Sequence, residues 1–344
     1  MSTLPMTRPP TMRDIAAAAG VTYQAVSLAL SGRAGVSDER RRQIQALADE
    51  MGYYPHAAAK MLSQKRTGQI GLISARPPNG RFSINSQQFV DTFIEACESR
   101  GRHYHVEFHH HSNENATGPF TPPHALAGGL VDGVILAEDV GETLRHWLTT
   151  RRIPFVSISE PAEYSVIADE AGGMRAALKH LISLGHRRIS ACFGPQRYAV
   201  HRLKRDAFFE VAARHKLYLP DDDYTFIFNA DESESYWHWA DRLLSRKDRP
   251  TAVVGGWHPV TQMALSKGLQ VPRDLSLIEW ARPAMMERMF HPKMAAIDTD
   301  MRLVMQHAFE LLETLLAGKT PDQPHRRIGA QLIVAESTGP APLD

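Results

Sequence analysis

The stretch GVTYQAVSLALSG, residues 20–32, has an unusual leading turn for a short helix. Thr22, Tyr23 and Gln24 all carry hydrogen-bonding groups there, whereas most amphipathic helices open with a cap and acidic residues. The Gln24 amide can donate and accept hydrogen bonds together, and Tyr23 offers a hydroxyl and a ring. This turn is suited to binding a polar surface outside the helix; the alternative is a solvent-facing polar turn that binds nothing.

A second group of residues has metal-ligand character. In the segment RHYHVEFHHH, a strand would place His103, His105, Glu107 and His109 on one face. A solvated face of an edge strand produces the same alternation, and we favour that interpretation. The sequence therefore predicts no metal site, and no cofactor is expected.

Composition limits the class of protein. The 344 residues are 43% hydrophobic and 22% charged, as in globular chains, and two cysteines are too few for a disulfide framework. No apolar run approaches a membrane span, and the first residues lack a signal peptide's apolar core. A cytoplasmic protein without membrane contact is expected. The chain shows no GxSxG, P-loop, HExxH or GxGxxG after a strand, so we expect no enzyme.

Charge is distributed unevenly along the chain. Residues 1–66 contain nine Lys and Arg against five Asp and Glu, although the whole chain has a net charge of only +1. A basic segment before a mildly acidic body is typical of a polyanion-binding head joined to a body with another role.

The elements that position the opening turn are three short helices. TMRDIAAAAG begins with Thr11 and Asp14 in capping-box spacing and ends at Gly20, and a third helix begins at Ser37. Two short helices joined by a Gly-containing turn, followed by a third, form a helix-turn-helix pattern. From TGQIGLISA onward, strands alternate with helices, which predicts parallel sheets built from βαβ units.

These motifs carry a family likeness. TMRDIAAAAGVTYQAVSLALSG resembles the helix-turn-helix of the lactose-repressor (LacI/GalR) family of bacterial regulators, and VSDERRRQIQALADEMGYYPHAAAKML continues the match. HLISLGHRRIS, VPRDLSLI and LLETLLAGK follow in the family's order and spacing. The likeness is strongest over residues 11–73 and patchy over 74–168.

The resemblance implies an α/β protein. Its N-terminal part would be a three-helix helix-turn-helix domain with a hinge helix, and its body two Rossmann-like subdomains of the periplasmic-binding-protein type. We expect the chain to cross between subdomains near residues 165, 295 and 327. The expected boundaries are 1–66 for the DNA-binding domain with its hinge at about 56–64, and 67–344 for the body, with subdomain one at 67–165 and 296–326 and subdomain two at 166–295 and 327–344.

The resemblance makes residues 20–32 a DNA recognition helix. Gln24 suits adenine N6 and N7, the Tyr23 ring can contact a thymine methyl, and Thr22 and Ser27 are short enough to bind phosphates. Many relatives have a basic or polar base reader where this chain has Leu28. Leucine cannot hydrogen-bond to guanine, so the operator sequence does not carry over.

A second DNA element is implied for HAAAKML. In the family this hinge becomes helical on the operator and its leucine, here Leu62, is wedged into the minor groove, while small residues such as Ala59 let two hinges approach. Tyr53, His56 and Lys60 would bind phosphates. The alternatives are that Leu62 caps a small core and that some of the polar residues belong only to a solvated linker.

The body is expected to hold a small-molecule effector with an altered set of side chains. Lys204 stands where the family commonly has an effector-binding Arg, and Asp169 matches a frequent ligand-side aspartate. We expect a planar or anionic ligand, or a stacked sugar. The alternative is that the tryptophans only pack between subdomains and nothing binds. The candidate effector residues are Asp169, Arg202, Lys204, Trp257, His258 and Trp280.

The leading hypothesis is a homodimeric repressor that binds a pseudo-palindromic double-stranded operator, associates with the nucleoid when bound, and is controlled by an effector. One alternative is a regulator of the same fold that has lost its effector response. The other is a small-molecule binding protein with a vestigial DNA-binding head.

Overall fold

The computed structural model describes residues 10–32, 34–53, 66–76, 84–110, 120–227, 233–255, 257–280 and 291–343. The chain divides into two compact units, residues 1–67 and 68–344.

The first unit contains three helices in its described part, as the sequence predicts. They pack around a small core centred on the fully buried Ile15, Val26 and Ile44. Apolar residues at helical spacing on each helix supply this core, and the polar faces remain outside. The helices are α1 (Met12–Ala19), α2 (Tyr23–Leu30) and α3 (Asp38–Glu50).

Local capping fixes where these helices begin and end. Thr11 and Asp14 form the predicted capping box, in which the Thr11 backbone N–H donates to the Asp14 carboxylate at 2.8 Å. Gly20 ends α1 in the left-handed conformation, with φ of 61°, which favours glycine. Ser37 caps α3 through its hydroxyl. These caps define a sharp turn between α1 and α2 and so fix the direction of α2.

The second unit is built from two sheets with helices packed on them. The first sheet is parallel throughout, in the order β11-β5-β4-β3-β1-β2, and the second has the order β12-β10-β9-β8-β6-β7 with only β12 antiparallel to its neighbour. The strands are β1 (Gln69–Arg76), β2 (His103–His110), β3 (Gly133–Ala137), β4 (Phe155–Ser157), β5 (Ser165–Ala168), β6 (Ile189–Phe193), β7 (Phe226–Ile227), β8 (Ala252–Val254), β9 (Ser276–Trp280), β10 (Ala295–Asp298), β11 (His325–Ile328) and β12 (Gln331–Ile333).

The helices of the second unit alternate with these strands as the sequence predicts. They are α4 (Ile84–Ser99), α5 (His124–Ala127), α6 (Glu142–Thr150), α7 (Glu170–Ser183), α8 (Ala199–His215), α9 (Ser233–Ser245), α10 (Trp257–Ser266) and α11 (Met301–Leu316), with a 3-10 turn at Asp222–Tyr224.

The chain passes between the two sheets three times. β5 and β11 pair with each other in the first sheet, whereas β10 and β12 belong to the second. The passages therefore follow residues 168, 298 and 328, up to three residues beyond the positions expected from sequence. The expected boundaries therefore assign three short segments to the wrong sheet, because strand pairing continues to the end of each strand. The segments are 166–168 and 327–328, which lie in the first sheet, and 296–298, which lies in the second.

Helices cover the central strands of the first sheet, whose side chains are buried. The strand β3, GVILA, is buried at every position, as expected for a parallel sheet covered on both sides. Val304, Phe309 and Leu312 of α11 cover the first sheet without solvent exposure. The carboxyl ends of the parallel strands lie at one edge of each sheet, where side chains of the following loops can converge.

Candidate functional site

The leading turn of α2 presents Tyr23 and Gln24 to solvent. Tyr23 is 50% exposed and Gln24 is also exposed. Thr22 is the helix N-cap, and its Oγ1 accepts a hydrogen bond from the Ala25 N–H at 3.2 Å. Its hydroxyl proton is still available, so a phosphate contact by Thr22 is compatible with the capping role.

The opposite side of α2 holds the helix against the first unit. Val26 and Ala29 are buried, and Ser27 and Leu28 are half-buried. The Leu28 side chain packs closely on Gly35, where an added Cβ would lie 3.1 Å from Leu28 Cδ1. Gly35 also has a φ of 115°, so this close approach requires glycine. Leu28 thus has a packing contact that the sequence did not predict.

Two arginines of α3 contact the other helices at their carboxyl ends. Arg41 Nη1 donates to the backbone oxygens of Leu28 and Ala29, at 3.3 and 3.2 Å. Arg40 Nη2 donates to the Ala19 oxygen at 3.3 Å. Cations at the negative end of a helix are stabilising, so Arg41 holds α2 and Arg40 holds α1 against α3. Sequence reasoning missed both, since only the packing of three helices brings them to these ends.

Tyr53 is the one described member of the second DNA element. It is half-buried against the core of the first unit, and burial raises the pKa of its phenol, with a further contribution from the neighbouring Tyr23. The remaining predicted members, His56, Ala59, Lys60 and Leu62, lie outside the described residues.

The second unit contains a cavity of about 100 Å³ between the carboxyl ends of its two sheets. Side chains that follow strands of both halves converge on it, as the rule for ligand sites in parallel sheets predicts. Its polar and aromatic lining includes Gln88, Glu138, Ser159, Glu160, Glu170, Tyr198, His201, Lys204, Trp280 and Asp298.

Lys204 is buried in this cavity and is already engaged. Its Nζ lies 3.1 Å from Glu170 Oε2 and 4.3 Å from the centre of the Trp280 ring. The ammonium group therefore gains both an ion pair and a cation–π contact. The structure brings together Lys204 and Trp280, two of the predicted effector residues, and adds Glu170, which sequence reasoning did not name.

His201 is a further cavity residue that sequence reasoning missed. Burial, together with the nearby Lys204 charge, lowers the pKa of its imidazole to about 3, so the ring is neutral near pH 7. His201 Nδ1 and Trp280 Nε1 are buried and have no hydrogen-bond partner in the described part of the chain. Buried polar atoms are normally satisfied, so these two are available to a ligand or to water.

Other predicted effector residues do not line the cavity. Arg202 is exposed and donates to the backbone oxygens of Gln196 and Arg197. Asp169 caps α7, where its Oδ1 accepts from the Gly172 N–H at 3.1 Å. The structure does not bring these two side chains to the cavity, because their direction depends on the loop and cap geometry, and their role in effector binding stays a prediction. Of Trp257 and His258, at the start of α10, only the backbone is described.

Glu160 connects the two halves at this cavity. It follows β4 of the first sheet, and its Oε1 accepts a hydrogen bond from the Ala199 N–H of α8 at 2.6 Å. Burial raises the pKa of the Glu160 carboxyl, and the Ala199 hydrogen bond opposes that shift.

The histidine-rich strand β2 lies at the edge of the first sheet. Glu107 accepts hydrogen bonds from the backbone N–H groups of His124 and Ala125, at 2.6 and 2.9 Å. Among the residues that the structure describes, no group of three or more His, Cys, Asp or Glu side chains is arranged to hold a metal ion.

Two family models match the chain in the order of its two units. Residues 11–56 match the bacterial regulatory proteins of the lacI family, and residues 178–338 match the periplasmic binding protein-like domain. The first match covers α1 to α3, and the second begins in α7 and ends after β12. The chain therefore carries a lacI-type DNA-binding domain followed by a periplasmic-binding-protein-like domain.

Curated helix-turn-helix transcriptional regulators are similar to this chain over nearly their whole length. The transcriptional regulator AglR of Rhizobium meliloti is 28% identical, with 97% of this chain and 96% of the relative covered. DegA of Bacillus subtilis is 26% identical, with 96% and 98% covered. The repressor PurR of Vibrio vulnificus is also 26% identical, with 95% and 98% covered.

Solved structures of transcriptional regulators share the fold of this chain. The lac repressor dimer bound to operator and the anti-inducer ONPF aligns with a TM-score of 0.79 at 21% identity, covering 96% of this chain and all of that one. The complex of the regulator CelR with cellobiose aligns with a TM-score of 0.66 at 24% identity, covering 95% and 99%. In the described residues, no helix is both long and apolar enough to cross a membrane.

Proposed function

We propose that this chain is a repressor that binds a pseudo-palindromic DNA operator as a homodimer. The observation that carries the proposal is the leading turn of α2, where Tyr23 and Gln24 are exposed on a helix fixed by Val26, Ala29 and the Arg41 contacts. A helix fits the major groove, and its N-terminal side chains meet base edges there. The family match and the operator complex of the lac repressor support this assignment.

Each DNA contact follows from the chemistry of its side chain. Gln24 would read adenine and Tyr23 would contact a thymine methyl, while Thr22 and Ser27 would bind phosphates. Leu28 would supply an apolar contact in place of a base hydrogen bond. The hinge contacts of Tyr53, His56, Ala59, Lys60 and Leu62 complete the proposed interface, with Leu62 as the minor-groove wedge.

We further propose that a sugar or related metabolite in the cavity of the second unit modulates DNA affinity. Unpartnered His201 Nδ1 and Trp280 Nε1 provide hydrogen-bonding groups for such a ligand. The CelR complex with cellobiose supports this class of ligand. An effector that binds one arrangement of the two halves better than another shifts their populations and therefore the DNA affinity.

The base-reading role of Gln24 can be tested by Gln24→Ala. We expect specific operator binding to weaken by about tenfold or more, because a bidentate adenine contact contributes about 1–3 kcal/mol of discrimination. Non-specific binding should change little, since phosphate contacts carry it. The measurement is a mobility shift on a selected palindromic operator and on unrelated DNA.

The matched control is Gln45→Ala, an exposed glutamine of α3. It should leave both affinities unchanged. Equal loss of specific and non-specific binding in Gln24→Ala would contradict the base-reading role, and the absence of any salt-sensitive specific binding by the unaltered chain would contradict the regulator itself.

A regulator that has lost its effector response is the second candidate. The contact between Lys204 and Glu170 favours it, because Lys204 occupies one face of Trp280 and its charge is neutralised within the chain. Operator binding that no sugar or related metabolite changes, in the same mobility shift, would support this candidate over the effector-responsive one.

A further inference from the structure

Helix α8 begins at the cavity, and within the described residues its N-cap residue supplies no side-chain cap. Tyr198 occupies the N-cap position, and its side chain makes no capping hydrogen bond. The first N–H groups of a helix have no partner within the helix and carry partial positive charge. The start of a 17-residue helix at a domain cleft therefore needs an acceptor from elsewhere.

Glu160 supplies that acceptor from the other half of the second unit. It lies 39 residues earlier in the chain, after β4 of the first sheet, and its Oε1 is 2.6 Å from the Ala199 nitrogen. The Glu160 side chain is buried, with 7% of the residue exposed, and Ala199 is equally buried. A buried carboxylate at a helix N-terminus forms a charge-assisted hydrogen bond, which is stronger than a neutral one.

The surroundings of Glu160 are of mixed charge. Arg202 of α8 and Arg145 of α6 favour its ionised form, whereas Asp139 and burial oppose it. The Glu160 backbone N–H also donates to the Ser157 hydroxyl at 3.2 Å, which ties the Glu160 backbone to the end of its own strand. Glu160 is thus held firmly in one half while it binds the other.

We propose that Glu160 is a positioning residue, a latch that holds the two halves of the second unit closed by capping α8. The cavity next to it lies between the two halves. Separation of the halves breaks the bond between Glu160 and Ala199. The latch therefore sets the free energy of opening. This inference goes beyond the proposed function, because it concerns the chain without DNA or effector.

Two substitutions remove the latch from opposite sides. Glu160→Ala removes the acceptor, and Ala199→Pro removes the donor. Ala199 is the first residue of α8, a position where proline is well tolerated because its φ suits the helix and its missing N–H has no intrahelical partner. Loss of a helix N-cap changes an equilibrium by roughly five- to thirtyfold.

The experiment is hydrogen–deuterium exchange of the full-length, DNA-free protein, with small-angle X-ray scattering of the same samples. We expect exchange in residues 158–160 and 200–204 to accelerate roughly five- to thirtyfold in either variant, with a larger radius of gyration. Glu160→Gln, which keeps an acceptor, should restore most of the protection. The double variant should be no faster than either single variant, since both remove one bond.

The matched control is Glu163→Ala, which removes an exposed carboxylate three residues further along the same loop. It should exchange like the unaltered chain. Unchanged exchange in both Glu160→Ala and Ala199→Pro would overturn the proposal, as would acceleration spread evenly over both sheets, which would indicate general destabilisation. Neither outcome depends on operator binding, so failure of the latch is distinct from failure of the proposed function.

Discussion

At the scale of single residues, the cavity is defined by polar side chains buried against aromatic ones. His201 packs on Gly194 so closely that an added Cβ there would clash with the imidazole ring. The ring of Tyr198 packs on it in a T-shaped arrangement, with ring centroids 5.9 Å apart. Burial among these groups and the Lys204 charge keep the imidazole neutral. Because the imidazole stays neutral in the folded chain, the free energy of unfolding depends on pH.

The pKa of His201 is about 3 in the folded chain, below its usual value of 6.5. Between these values the unfolded chain binds more protons, so the free energy of unfolding falls as the pH falls from 6.5 toward 3. We expect His201→Leu to reduce the fall in the free energy of unfolding between pH 6.5 and pH 5 by up to about 2 kcal/mol. Urea unfolding at a series of pH values measures it.

His215→Leu is the control for this prediction, because His215 is exposed at the end of the same helix. It should keep the pH dependence of the unaltered chain. His180 and His186, whose pKa values burial also lowers, maintain a residual slope in every variant. An unchanged slope in His201→Leu would show that the imidazole is protonated in the folded state.

At the scale of elements, the first unit depends on its caps because its helices are short. α1 and α2 have eight residues each, and isolated helices of that length are unstable in water. Tertiary packing and capping must therefore supply most of the stability. The α1 cap is the more complete, since both hydrogen bonds of its capping box are formed.

We expect Thr11→Ala to destabilise the first unit by about 1 kcal/mol, since it removes the hydroxyl that caps α1. Exchange of the α1 amides should accelerate by about fivefold, and operator affinity should fall with it because α1 supports α2. Hydrogen–deuterium exchange of the full chain provides the measurement. Thr11→Ser retains the hydroxyl and should behave like the unaltered chain; if Ser and Ala destabilise equally, the cap is not the cause.

At the scale of the whole molecule, the two units have separate proposed roles, which are DNA binding in the first and effector binding in the second. In the proposed function the first unit reads one half-site, so a dimer should require two half-sites with a fixed rotational relation. Inserting about five base pairs between half-sites turns one of them to the opposite side of the duplex. We expect this insertion to abolish high-affinity binding in a mobility shift.

An insertion of about ten base pairs is the control, since it restores the rotational relation while lengthening the site. It should recover part of the affinity. Equal binding to both inserted operators and to the original one would indicate that each chain binds independently, which would contradict the dimeric arrangement.

The sequence by itself determined the features that depend on neighbours along the chain. The Thr11–Asp14 capping box, the Gly20 helix end and the period of the strands all arise from contacts within a few residues, so local patterns predict them. The exposure of Tyr23 and Gln24 follows from the same periodicity, since Val26 and Ala29 are needed for the core.

Only the tertiary structure decided which distant side chains meet. Lys204 pairs with Glu170, Arg41 holds the end of α2, and Glu160 caps α8 across the cleft. The same folding turned Arg202 away from the cavity that its position in the chain had suggested. These partners are separated by 13 to 39 residues and belong to different elements, so their contacts depend on sheet order and helix packing rather than on spacing.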